Sequence, residues 1–271
     1  MLRKLIKYDM KALNRFLIIV HVFLILAAIL GRIFITIRAG SGSEEWNANI
    51  LILGFMLCFL LVAGATYTTA IVVAVRFYRN IFSDEGYLTH TLPVSTGNLL
   101  LSKTITGSIW SIIDSMAVYL SWAILFVTPY VMNKLLENKT ELLTEFGAPD
   151  MNAIWKMAGL TLLVSLVGSI HTIISIHFSI IIGQLMSNHR ILGAIVAYFS
   201  LSLLISLITL IAMRVTGLLR LSLFANQIEE NFHPYSYYCS MMNLSLILSL
   251  VTAFVLYIIS QEILKKRLNL N

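Results

Sequence analysis

The residue best placed to do chemistry is Asp114. It is the one acid within the apolar stretch "TITGSIWSIIDSMAVYLSWAILFVT", residues 104–128. If that stretch is a membrane span, Asp114 lies roughly 16 Å along it from Lys103, near mid-membrane. A carboxyl at such depth must be paired, hydrated or protonated, and it can carry a proton or an ion. It can also serve packing, as an acid bonded to a neighbouring hydroxyl such as Ser111 or Ser115. His171 is a candidate partner if the two segments pack face to face. A second group sits in "FYRNIFSDEGYLTHTLPVSTGNLLLSK", residues 77–103. Phe82, Tyr87 and Leu88 are anchor-type side chains, and Asp84 and Glu85 can pair with basic groups. Together they have the chemistry of a docking surface. The alternative is a solvated loop whose acids keep it soluble.

Other chemistries lack their residues. There is no G-x-x-x-x-G-K-[ST] phosphate loop, no H-E-x-x-H and no G-x-S-x-G. His171 and His177 share a segment but point roughly 240° apart on a helix, so they do not ligate one metal together. No metal site, no catalytic residue and no nucleic-acid partner is expected. Cys58 and Cys239 lie in or beside apolar runs and read as free thiols.

The elements that hold these residues are membrane spans. Of the 271 residues, 58% are hydrophobic and 12% are charged, about half the charged share of a soluble domain. Mean hydropathy is +0.86. Runs at about 16–37, 48–75, 104–128, 157–186, 191–213 and 241–261 each reach the roughly 20 residues that a helix needs to cross the hydrocarbon. They do not alternate as barrel strands would. The fold class is therefore an all-α membrane protein with six transmembrane helices in a single transmembrane domain, 1–271.

Basic residues set the orientation. With the N-terminus inside, the inner segments hold Arg3, Lys4, Lys7, Lys11, Arg15, Arg76, Arg79, Lys103, Arg190, Lys265, Lys266 and Arg267. The outer set is Arg32, Arg38, Lys134, Lys139, Lys156, Arg214 and Arg220. Twelve against seven puts both termini in the cytoplasm. The net charge of +6 suits anionic lipid headgroups better than nucleic acid.

Between the spans, "MLRKLIKYDMKALNR" places Leu2, Leu5, Ile6, Met10 and Leu13 at helical spacing among basic residues. It reads as an amphipathic helix lying on the inner leaflet, not as a cleaved leader. In the 77–103 loop, Ser83 and Ser95 are helix caps and Pro93 is a break, so a short cytosolic helix is expected. Residues 214–240 mix apolar and aromatic groups and read as an outer-leaflet segment. Small and hydroxylic residues form stripes, most clearly from Thr161 to Gly183. They suit helix–helix contact with hydrogen bonds across it, or the lining of a substrate path or dimer seam.

The layout resembles the permease subunit of an ABC transporter, in the six-span exporter class common in Gram-positive bacteria. The residues that carry the resemblance are "RFYRNIFSDEGYLTHTLPVSTGNLLLSK", with Asp84-Glu85-Gly86-Tyr87-Leu88 followed by Leu92-Pro93-Val94-Ser95, and the amphipathic start "MLRKLIKYDMKA". The specific part covers about a tenth of the chain. The resemblance implies a coupling helix docked in a cleft of a separate ATPase subunit, with Phe82, Asp84, Glu85, Tyr87 and Leu88 making the contact. It implies two permeases, identical or not, with two ATPases. ATP and Mg would sit on the ATPase, with no cofactor on this chain. The setting would be the cytoplasmic membrane and its lipid, and the cargo an amphipathic substrate such as a peptide, antimicrobial peptides included, or a lipid. A secondary transporter or channel built on Asp114 is the alternative class. An intramembrane enzyme lacks its motif here.

Overall fold

The structure is a computed structural model describing residues 2–38, 44–83, 85–86, 91, 93–186, 189–219 and 233–268. Among them there are eight helices and no strand. They are α1 (Leu2–Arg38), α2 (Glu44–Phe82), α3 (Thr96–Phe126), α4 (Pro129–Glu137), α5 (Lys139–Glu145), α6 (Met151–Gly183), α7 (Arg190–Val215) and α8 (Pro234–Leu268). Six of them, α1–α3 and α6–α8, are long and apolar enough to cross a membrane. No more than 28% of the most apolar window of any of these is buried. Large side chains such as Phe23, Leu60, Leu203 and Phe254 therefore face outward. Exposed apolar surface on that scale requires lipid or a partner. The chain is an all-α, multi-pass membrane protein.

Helix α1 unites the expected interfacial helix 1–15 with the first span. Its 37 residues extend about 55 Å, against ~30 Å of hydrocarbon. No breaker falls between Leu13 and Leu17, and one buried stripe runs through Asp9, Leu13, Leu17, His21, Leu24 and Ala28. Spacings of three and four keep that stripe on a single face. The amphipathic pattern is present, with Lys7 and Lys11 exposed and Leu13 buried, but as the first turns of a continuous rod.

The chain divides into two compact units, residues 1–134 and 135–271. In the first, α1 packs against α3 and α2, and α2 also meets α3. The buried stripe of α2 passes through Cys58, Ala65, Thr69, Val73, Phe77 and Ile81. Leu24, Ala65 and Ala117 close one cluster of the three helices, and Ala28, Cys58 and Leu125 another. Ser95 caps α3 as its sequence position suggests, its hydroxyl accepting from Asn98 N at 3.3 Å.

In the second unit α6 packs against α7 and α8, with Ile174, Ala253 and Leu256 at the centre. Asp150 caps α6 by accepting from Ala153 N at 2.8 Å. The α6–α7 hairpin closes backbone to backbone. A Cβ on Gly183 would stand 2.4 Å from Ala194 N, so only glycine permits this approach. Helix α8 begins at Pro234, earlier than the expected span 241–261. Proline suits a first helical position, and the next amide, Tyr235 N, donates to Phe146 O at 2.8 Å. Of the expected outer-leaflet segment 214–240, residues 220–232 lie outside the described residues.

Candidate functional site

The polar residues of the first unit form a ladder between α1 and α3. Near the N-terminus, Lys103 Nζ lies 2.5 Å from Asp9 Oδ1. Farther along, His21 Nε2 lies 3.0 Å from Asp114 Oδ1. At the far end, Arg32 Nη1 donates to Ile124 O at 3.0 Å and to Val127 O at 3.2 Å. The partners keep a nearly constant sequence offset, 94 in the first rung and 93 in the second, so the two helices run parallel without slipping. Successive rungs are about 17 Å apart at 1.5 Å per residue. The last rung satisfies carbonyls that the end of α3 would otherwise leave open, with a cation where the helix dipole favours one.

The middle rung is the most buried. Asp114 is 3% exposed and His21 6%. Thr69 on α2 donates its hydroxyl to Asp114 Oδ1 at 3.1 Å, and the Trp110 ring lies 5.7 Å from the imidazole. His21 Nδ1 is 2.6 Å from Leu17 O. A carbonyl only accepts, so Nδ1 carries a proton. Nε2 faces Asp114 without an aligned hydrogen bond. The imidazole and the carboxyl thus stand as complementary partners, an arrangement that lets ionisable groups persist in hydrocarbon.

Asp114 is thus held by His21 and Thr69. Ser115 turns back to donate to Ser111 O at 3.1 Å. His171 belongs to the second unit and lines a cavity there. Nothing in the sequence beside His21 marks it as the partner of Asp114. The available signal was the matched spacing of two complementary pairs, Asp9 to His21 on one segment and Lys103 to Asp114 on the other.

At the N-terminal end of the ladder the network spreads into the 83–95 loop. Asn80, with its amide oxygen toward the cations, accepts from Lys103 Nζ at 3.0 Å and from Arg76 Nε at 3.2 Å. Its nitrogen donates to Glu85 Oε2 at 2.8 Å. Glu85 also pairs with Arg76 Nη1 at 3.4 Å and Arg79 Nη2 at 3.3 Å. Its carboxylate is therefore engaged within the chain, tying the loop to α2. Gly86 N donates to Ser83 O at 2.7 Å, and a Cβ on Gly86 would stand 2.6 Å from Ile81 O. The turn closes that tightly. Phe82 packs on Phe77 and Tyr78, ring centroids 6.1 and 6.5 Å apart. Asp84, Tyr87 and Leu88 lie outside the described residues. One chain of contacts thus runs Asp9–Lys103–Asn80–Glu85, joining α1, α3, α2 and the loop.

The hydroxyl stripe of α6 bonds both to its own backbone and across to a neighbouring helix. Thr161, Ser169, Thr172 and Ser179 of α6 each donate to a carbonyl four residues earlier. A hydroxyl in a helix reaches its own backbone more readily than a neighbour's. Thr161 and Tyr238 make the cross-helix contact, hydroxyl to hydroxyl. Among the described residues no group of three His, Cys, Asp or Glu side chains gathers as a metal site. Cys58 and Cys239 are both free thiols. No family model, no curated protein and no solved structure matches this chain.

Proposed function

We propose that this chain is the membrane-spanning subunit of an ABC exporter, driven by a separate ATPase that docks on the 83–95 loop. The observation that carries the reading is the continuous polar network from Glu85 through Asn80 and Lys103 to Asp9. A loop transmits movement to spans only if it is stiff and attached. Here the turn is sealed at Gly86, Glu85 is held by two arginines, and Lys103 joins α3 to α1. A push on the loop therefore displaces three spans together. With Glu85 engaged internally, the contacts left for the ATPase cleft are Tyr87 and Leu88, with Asp84 on its rim. Phe82 closes the end of α2 against Phe77 and Tyr78. On this reading the network lies in the cytoplasm, both termini are cytoplasmic, and two permeases assemble with two ATPases. The cargo is an amphipathic molecule such as a peptide or lipid. The chain itself hydrolyses no ATP and binds no cofactor.

The test is reconstitution. The tagged chain and its ATPase, co-expressed and placed in proteoliposomes, should hydrolyse ATP at a rate that Glu85→Gln lowers. Hydrolysis by the purified chain alone would defeat the proposal. A second reading, a proton-coupled secondary transporter, draws on the buried His21–Asp114–Thr69 cluster. It requires uptake driven by a pH gradient without ATP and abolished by Asp114→Asn.

A further inference from the structure

We infer that the α6–α7 cleft of the second unit binds an uncharged, hydrogen-bonding head group on an apolar body, such as a hydroxylated or amide-bearing lipid-like molecule. A cavity of about 130 Å³ lies there, lined by His171, Thr172 and Ser175 of α6 and Tyr198, Ser202 and Ser206 of α7, with Leu201 and Ile205 completing the wall. The antiparallel register set by Gly183 against Ala194 brings Ser175 level with Ser202 and His171 level with Ser206. His171 is about 18 Å from the Gly183 end of α6, well inside the span.

Ser175 carries the argument. The neighbouring hydroxyls of α6 fold back onto their own helix. The Ser175 hydroxyl does not. It is in a residue only 5% exposed, it has no hydrogen-bond partner, and it lines the cavity. His171 Nε2, on the same wall, is likewise buried and unpartnered. Lipid tails satisfy neither group. The volume far exceeds the space one water needs. The ligand class follows from the wall: hydroxyls, a phenol and an imidazole both donate and accept, no carboxylate, ammonium or guanidinium is present, and the leucine and isoleucine receive an apolar stem. A fixed charge would enter without a counter-charge.

This names the substrate class of the proposed exporter and rests on that reading for its purpose. The binding itself is measured on the chain alone, so its outcome is separate from that of the ATPase experiment. Ser202→Cys is introduced into a Cys58→Ala, Cys239→Ala background in nanodiscs, and its modification by N-ethylmaleimide is timed. Octyl glucoside, octyl sulfate and octyltrimethylammonium, matched in chain length, are the probes. Octyl glucoside should slow modification about tenfold at ten times its dissociation constant, and the charged probes should not. Ser175→Ala should remove the protection while leaving the unprotected rate intact, and Ser206→Ala, on the exposed wall, should weaken it. Equal slowing by all three probes would mean apolar partitioning only and would overturn the inference. So would no slowing at all, protection that survives both alanine variants, or a thiol that never reacts because the cleft is dry.

Discussion

Removing one member of the His21–Asp114 pair should cost far more than removing both. Each is almost wholly buried, and the contact is 3.0 Å. His21→Leu leaves Asp114 with the Thr69 hydroxyl and no basic partner. Breaking a buried pair in this way costs about 3–5 kcal/mol, whereas replacing both members with apolar groups is near neutral. Ordinary interhelical hydrogen bonds in membranes couple by only ~0.6 kcal/mol. The two scales differ enough for a double-mutant cycle to separate them. His21→Leu, Asp114→Leu and the double variant would be unfolded in mixed micelles, with helix content followed by circular dichroism. The expected coupling is at least about 2 kcal/mol, with the double variant more stable than either single one. Additivity within about 0.5 kcal/mol would refute the pairing argument and leave the contact a matter of packing.

Gly183→Ala should lower the midpoint of thermal unfolding, because its Cβ would meet backbone at Ala194, which cannot rotate away; overpacking of this sort costs about 1–3 kcal/mol, and an unchanged midpoint would refute the close approach. Glu85→Gln keeps the shape of the loop but removes the charge that pairs with Arg76 and Arg79, so trypsin should cut at Arg79 faster than in the parent chain; equal cutting would mean that Glu85 does not hold the turn. In intact cells, cysteines introduced at Ser43 and Asn138 should react with an impermeant maleimide while one at Ser95 stays protected, and labelling at Ser95 would reverse the orientation.

The spans were legible because length and apolarity alone decide whether a helix can cross a bilayer. The Ser95 cap was legible because capping is a local event between a hydroxyl and an amide three residues on. The continuity of α1 was not. The shift from basic to apolar residues near Arg15 looks like a boundary, yet a helix ends only where something breaks it, and nothing there does. The partner of Asp114 was hidden because depth register between two spans is tertiary. Only the parallel packing of α1 on α3 brings residues 21 and 114 together. The basic groups that Glu85 meets were hidden for a related reason. Glu85 follows Arg76 and Arg79 closely in sequence, but the tight Ser83–Gly86 turn is what folds it back onto them.

The central claim, that an ATPase works this chain through the 83–95 loop, is tested most directly by docking. The tagged chain would be purified in mild detergent together with its co-expressed ATPase, beside a Tyr87→Ala, Leu88→Ala variant. Anchors of this kind are worth ~2 kcal/mol or more each, so the variant should lose the ATPase by tens-fold or more. It should also lose substrate-stimulated hydrolysis while keeping its own expression and monodispersity. Full retention of the ATPase, with normal stimulation, would contradict the account.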